Sequence, residues 1–380
     1  MRFCSSTRQA HRFITSGLLT TLLLVAPSQQ ADARRELIPD EAKARLRQIQ
    51  HIHLDTLALA GSGITDSSAI AAAVAQRLTT IGYVVVGAAD PHEATVKVKC
   101  EEHKTWEGTT RSGGDADAPG STARLWRGPA CQVSYRMEGF QSDWRHEIRG
   151  EAAPSKGAPP TPTQTATTAS APPTTPTGAA AMALLIERIA QDLFPLLLTS
   201  EWGQSTRLLT ILEAPNQAAA TKTRVIELLG KMAATDAMPA LARAIQARDV
   251  DVAKAAAVAI GTIGGQDGIP LLLSLFKQGR PELHLAAAQG LGRLAPLHPQ
   301  TDVVPELLAA LPQATVPVQT EIVRALATTA DRRSYDAIRR LNKDVQARHA
   351  TDTSAEMTAL QQALGVAIDQ FTNTHSSEEQ

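Results

Sequence analysis

Between Val225 and Leu341 the chain repeats itself. "VIELLGKMAATDAMPALARAI" (225–245) returns as "AVAIGTIGGQDGIPLLLSLF" (257–276) and again as "AQGLGRLAPLHPQTDVVPELLAAL" (288–311). Gly230, Gly261 and Gly292 stand 31 residues apart each time, as do Met238-Pro239 and Ile269-Pro270. Val304-Pro305 follows after 35, because "LHPQ" lengthens one loop, and Ala327 closes the series 35 residues after Gly292. A period in the 20–50 range predicts stacked units that bury a continuous core between neighbours. Each unit reads as two helices, the first opening on a proline whose missing N–H is harmless in the first turn.

Counted from the repeat glycine, the rows at −5, −4, −1 and +2 are apolar. Leu229, Ile260, Leu291 and Leu326 form the row at −1. Such a stripe predicts the buried side of the second helix. The rows at −7, −3 and +1 share another face and are mostly polar. They carry Glu227, Lys231, Lys254, Gln289, Arg293 and Arg324. Stacking would line these six residues up, with mixed charge, as a candidate docking face for a protein partner rather than a polyanion.

Asp236, Ala237, Pro239, Leu241 and then Ala256, Ala257, Ile260, Gly261 resemble the unit of HEAT-like repeats of the phycobilisome-lyase type, "D-x-x-A-x-P-x-L…V-R-x-A-A-x-x-A-L-G". The family's arginine is replaced: Lys254 stands near its place, and His284 and Gln319 lie one residue earlier in their units. The resemblance covers about a third of the chain. It implies an α-solenoid that binds something along one face, and it does not imply lyase chemistry.

The chain opens on a stretch that reads as a secretory signal peptide, Met1–Ala33. Arg2, Arg8 and Arg12 precede an apolar run, Phe13–Ala26, and Ala31-Asp32-Ala33 offers a cleavage site. The run is shorter than a spanning helix needs, so no stable membrane anchor is expected after cleavage. The expected location is the periplasm. Loss of three Arg and one Asp takes the formal charge from −1 to −3. That balance lacks the basic footprint of a nucleic-acid binder. Cys4 leaves with the leader. Cys100 and Cys131 remain, an even pair that in an exported chain is expected to form a disulfide.

From residue 34 to 200 the pattern is that of a small α+β domain. Ile49–Ala60 alternates as a half-buried strand. Thr65, Asp66 and Ser67 offer caps for an alanine-rich helix to about Thr80, and Tyr83–Gly87 is a short strand. Thr95–His103 and Cys131–Met137 alternate around a glycine-rich loop at 108–128, and a hairpin at Gly139 leads into Asp143–Gly150. "AAPSKGAPPTPTQTATTASAPPTTPTG" (152–178) has no period and cannot build a core. Ala179–Thr199 reads as one apolar helix, assigned to the sheet rather than to the solenoid because a sheet with one helix leaves apolar surface bare. In element order this region is similar to small periplasmic domains of envelope lipoproteins and the Tol system. The solenoid then runs from 201 to 371, with a tail at 372–380 expected to fray.

No G-x-S-x-G, Walker loop, HExxH or CxxC occurs, so no catalytic residue, metal ligand or cofactor site is assigned. His51, His53, Glu101 and His103 fall on the outer face of the predicted sheet. They are a metal set only if the strands bring them together. His146 alternates with Trp144 and Ile148 and is expected to face the core. Three classes remain open. The favoured one is a non-catalytic periplasmic scaffold or adaptor working through the solenoid. The alternatives are an envelope small-molecule or metal-binding protein using the α+β domain, and a lyase-like repeat enzyme.

Overall fold

A computed structural model describes residues 38–61, 63–109, 123–150, 177–277, 280–349 and 354–376. The leader reading (1–33), the core of the Pro/Thr tract (152–176) and residues 377–380 lie outside them. After α1 (Asp40–Gln48) come β1 (His51–Ala60), β2 (Gly63–Thr65), α2 (Ser68–Thr80), β3 (Val84–Val86), β4 (Ala94–Thr109), β5 (Ala123–Met137) and β6 (Phe140–Arg149). The strands form one mixed sheet in the order β2-β1-β4-β5-β6, with β3 also on β1. β1 runs parallel to β3 and β4, and β4-β5-β6 is an antiparallel meander. One face carries Ile52, Ala58, Val96, Val98, Cys100, Cys131, Val133 and Ile148, all buried. Alternation predicts that face. The α2 residues Ile70, Val74 and Leu78 cover it together with Ala181, Leu185 and Ile189 of α3 (Ala179–Gln191). Cys100 and Cys131 are direct cross-strand partners and form the disulfide.

Three details of this region depart from the sequence reading. The turn expected at Gly61–Gly63 is followed by a short strand, β2, folding back on β1. The loop expected at 108–128 is narrower, because strand pairing continues through Thr105↔Arg127 and Trp106↔Trp126 to Thr109↔Ala123. Threonine, tryptophan and leucine in those two runs favour extended backbone. The single helix expected at 179–199 is two, α3 and α4 (Phe194–Glu201). Asp192 stands extended between them and its carboxylate accepts from Phe194 N at 2.6 Å. Pro195 has no N–H for the carbonyl four residues back, so α3 cannot run on. α3 packs on the sheet and α2, whereas α4 packs on the helices that follow.

Five helix pairs follow among the described residues. They are α5 (Ser205–Glu213) with α6 (Ala219–Lys231), α7 (Met238–Ala244) with α8 (Val250–Ile263), and α9 (Gly268–Lys277) with α10 (His284–Leu294). α11 (Val304–Ala310) pairs with α12 (Val316–Thr329), and α13 (Arg332–His349) with α14 (Ala355–Ser376). Together they are an all-α, HEAT-like solenoid behind the α+β domain. The −1 row Leu229, Ile260, Leu291 and Leu326 is fully buried in one continuous core. The second helices α6, α8, α10, α12 and α14 pack closely in series, while the first helices touch one another sparingly. The second helices thus form the more tightly packed layer of the stack, called the inner layer below. The tail expected to fray from Thr372 is instead helical to Ser376. Buried Phe371 anchors this last turn, and the Thr372 hydroxyl bonds to Ile368 O and Asp369 O.

Candidate binding surfaces

The inner helices place the six candidate face residues on one side. Glu227, Lys231, Lys254, Arg293 and Arg324 are exposed, and Gln289 is half-buried. Arg293 Nη1 donates to Thr262 Oγ1 at 2.8 Å, across one period of 31 residues. Both occupy the +1 position of their units, so this bond demonstrates that the column is in register. Glu227 pairs with Arg224 at 2.7 Å and Arg324 with Glu321 at 2.8 Å, each one turn away on its own helix. Lys231 and Lys254 form no ion pair among the described residues. Val258 and Leu285 interrupt the charges with partly exposed apolar surface. Periodic polar bonds occur elsewhere too. Ser205 Oγ donates to Asp236 at 2.7 Å, and Arg333 forks onto Asp302 at 2.8 and 2.9 Å. Each of these pairs is also 31 residues apart.

A second surface lies where the solenoid meets the sheet domain. Gln204, buried ahead of α5, donates through Nε2 to Leu46 O at 2.9 Å and Ile49 O at 3.0 Å. Its Oε1 accepts from Tyr83 Oη at 2.9 Å and from Arg207 Nε at 2.8 Å. Tyr83 Oη also lies 3.0 Å from Thr199 Oγ1, and burial pushes its phenol well above the usual range. The Arg207 guanidinium stacks over the Tyr83 ring at 4.0 Å, and its Nη1 donates to Ile81 O at 3.1 Å. Trp202 packs edge-on against both Tyr83 and Tyr135. Every oxygen and nitrogen of the Gln204 amide is therefore satisfied, as a buried polar network requires. Beside this network opens a cleft of about 850 Å³, walled by Arg47, Gly82, Arg207, Ile211, Met232 and Asp236 among others. Sequence reasoning noted Gly82 as a helix stop and Tyr83 as a strand residue. Nothing in their spacing announces Arg207, more than a hundred residues away.

The histidine set does not converge. His51 Nδ1 lies 3.1 Å from Glu93 Oε1, whose partner oxygen accepts from Gln50 N at 3.1 Å and also from His51 N. His53 Nδ1 is 3.4 Å from Val86 O, and its ring lies 5.3 Å from that of His92. Glu101 pairs with Lys99 at 2.6 Å and His103 with Glu102 at 3.2 Å. The β1–β4 register sets His53 opposite Thr95 and Glu101 opposite Leu59, so six residues of strand, about 20 Å, separate the two ends. Among the described residues no group of three or more His, Cys, Asp or Glu is placed to hold a metal ion. A cleft of about 870 Å³ beside His92 carries charges of both signs, Asp90, Glu93 and Glu138 together with Arg45 and Arg136. His146 is half-buried with Trp144 and Ile148, and its Nε2 lies 2.7 Å from Asp192 Oδ1. His284 packs half-buried on Phe276 and Gln319 is buried, its amide donating to Leu311 O at 3.2 Å. In those two units the position near the missing family arginine is a packing position, while Lys254 is exposed.

The family model described as HEAT repeats matches residues 205–292, from α5 into α10. No curated protein matches the chain. A solved structure of human deoxyhypusine hydroxylase in complex with glycerol aligns at 18% identity, over 52% of this chain and 86% of that one, with a TM-score of 0.22. At that score the likeness carries no argument about this chain.

Proposed function

We propose that the protein is a non-catalytic scaffold of the periplasm that binds a protein partner along the inner face of its HEAT-like solenoid. The observation that carries this reading is the register of the exposed column, fixed by the Arg293–Thr262 bond across one repeat. A solenoid offers its long inner surface to extended partners, and here that surface has charges of both signs interleaved with Val258 and Leu285.

The test compares capture of envelope proteins by wild type, by Arg293→Glu/Arg324→Glu, and by a double charge reversal on the first helices at Arg243 and Lys277. A protein captured by wild type and by the first-helix variant, but lost with the inner pair, supports the reading. Loss confined to the first-helix variant would move the functional surface to the outer side. The metal-binding alternative loses its main motive because its four residues do not meet.

A further inference from the structure

The junction cleft holds two guanidiniums that meet no carboxylate among the described residues, Arg207 on the solenoid side and Arg47 at the end of α1. They are placed in different ways. Arg207 is pinned by its stack on Tyr83 and by bonds from Nε and Nη1, which use two of its five N–H donors. Three donors remain on the planar fork that matches carboxylate and phosphate oxygens. Arg47 is exposed and lies along Gly203, its Nε 3.5 Å from where a Cβ would sit. Arg207 lies along Gly82 in the same manner, with Nη1 2.8 Å from the missing Cβ. Both glycines have left-handed backbone, at φ +72 and φ +91. A side chain at Gly82 would push the guanidinium out of place. Among the described residues the cleft's one carboxylate is Asp236, which is engaged by the Ser205 hydroxyl. The remaining wall mixes hydroxyls of Thr80 and Thr210 with the apolar side chains of Ile81, Ile211 and Met232.

Arg207 is part-buried and Arg47 exposed, and neither charge is met by an anion of the junction among the described residues. Here the cations border an open volume of the size that encloses a small organic ligand. We propose that this cleft binds the oxyanion group, carboxylate or phosphate, of a short and partly apolar ligand, with Arg207 as the fixed anchor and Arg47 as the second, mobile donor. This site is separate from the inner face of the solenoid, and neither reading depends on the other.

Titration calorimetry of the full chain tests it with three probes. These are acetyl-Ala-Leu-Ala with a free carboxylate, the same peptide as its C-terminal amide, and inorganic phosphate. Arg47→Gln is the informative variant, since Arg47 forms no hydrogen bond or ion pair among the described residues and its loss is expected to leave the fold intact. If carboxylate is the recognised group, the free peptide binds at least tenfold tighter than the amide, and Arg47→Gln weakens it about tenfold. If phosphate is the recognised group, inorganic phosphate binds, neither peptide does, and Arg47→Gln again costs about tenfold. No binding of any probe at 10-fold excess over a millimolar protein sample (about 10 mM), or binding that Arg47→Gln leaves unchanged, overturns the proposal. Arg207→Lys is the second variant. It keeps the charge but loses the fork. It is expected to weaken whichever probe binds by at least tenfold, with thermal melting recorded alongside to show that the junction is still formed.

Discussion

Gly261 on α8 and Gly290 on α10 touch backbone to backbone. A Cβ built on Gly261 would stand 2.3 Å from Gly290 Cα. The same pairing of position 0 in one unit with position −2 in the next joins Gly230 to Ala259 and Gly292 to Ala325. The repeat glycine is thus the contact point between successive inner helices, and it is small because the helix behind it is close. The tightness is graded along the stack. At Gly230 the added Cβ would lie 3.0 Å from Ala259 Cβ, and at Gly292 it would lie 3.6 Å from Ala325 Cβ.

Alanine substitutions should therefore separate three sites that look alike in sequence. Gly261→Ala forces two backbones apart and should cost about 3 kcal/mol, at the upper end of overpacking. Gly292→Ala meets ordinary van der Waals contact and gains helix propensity, so it should stabilise by up to ~0.8 kcal/mol. Gly230→Ala should fall between. Urea unfolding of the three variants gives the order directly. A Gly261→Ala protein as stable as Gly292→Ala would mean that the helices separate without penalty and that the close contact is not what selects glycine.

Removing the Gln204 amide should loosen the junction between sheet and solenoid. Gln204→Leu takes the side-chain donor from Ile49 O, leaves Leu46 O with only the long bond from Ile49 N at 3.4 Å, and takes an acceptor from Tyr83 and Arg207. Buried groups left unpaired cost 1–3 kcal/mol each, so a loss of about 3 kcal/mol is expected. Tyr83→Phe deletes one hydroxyl and should cost about 1 kcal/mol. Differential calorimetry should show more: a melting transition shared by the two regions in wild type should split into two in Gln204→Leu. A single, uniformly shifted transition would place the coupling elsewhere, for example in the Trp202 contacts.

Much of this architecture is legible in the residues, for a physical reason. Helix and strand periodicity report burial, and the fixed spacing of Gly230, Gly261 and Gly292 reports stacking, so solenoid, sheet face and disulfide partners follow from pattern. What does not follow is anything set by contact between distant segments. Tyr83, Gln204 and Arg207 have no common motif, and they meet only because α5 docks where β3 begins. The histidines show the reverse error. His51, His53 and His103 share a strand face by alternation, yet pairing takes each to a different neighbour. The break after α3 was encoded by Asp192 and Pro195, but the apolar run around them masks it.

Reduction of the Cys100–Cys131 bond should destabilise the sheet domain and lower the melting transition that it shares with the solenoid. The two cysteines are 31 residues apart, and closing a loop of that size is worth about 3.5 kcal/mol through the unfolded chain. Cys100→Ala/Cys131→Ala should lose a similar amount, plus the cost of the space that the alanines fail to fill. Thiol labelling of the denatured, unreduced protein freed of Met1–Ala33 should find no reactive sulfur. Two labelled thiols would show that the bond does not form in solution.

Acid should act on the sheet domain through Glu102. This carboxylate is only 5% exposed, at the register break in β4. The Gly178 N–H, and after it the Gly61 N–H at 2.8 Å, hold its carboxyl below the usual carboxylate range, with His103 Nε2 beside it at 3.2 Å. Gly178 leads directly into α3, so one side chain ties the strand edge at Gly61 to the start of the helix that covers the sheet. A folded pKa below the unfolded value of about 4.3 means the unfolded chain binds the proton more readily. The contribution is therefore complete above about pH 4.3 and is lost as pH falls through the folded pKa. Glu102→Gln should be less stable than wild type at pH 7, and the difference between the two proteins should shrink steadily below about pH 4.3. Subtracting the variant's curve removes the acid response of Asp302 and Asp331, which Arg333 holds low in both proteins. Urea unfolding between pH 7 and pH 3 measures that difference. A gap that stays constant across the range would show that Glu102 stabilises through its shape and packing rather than through its charge.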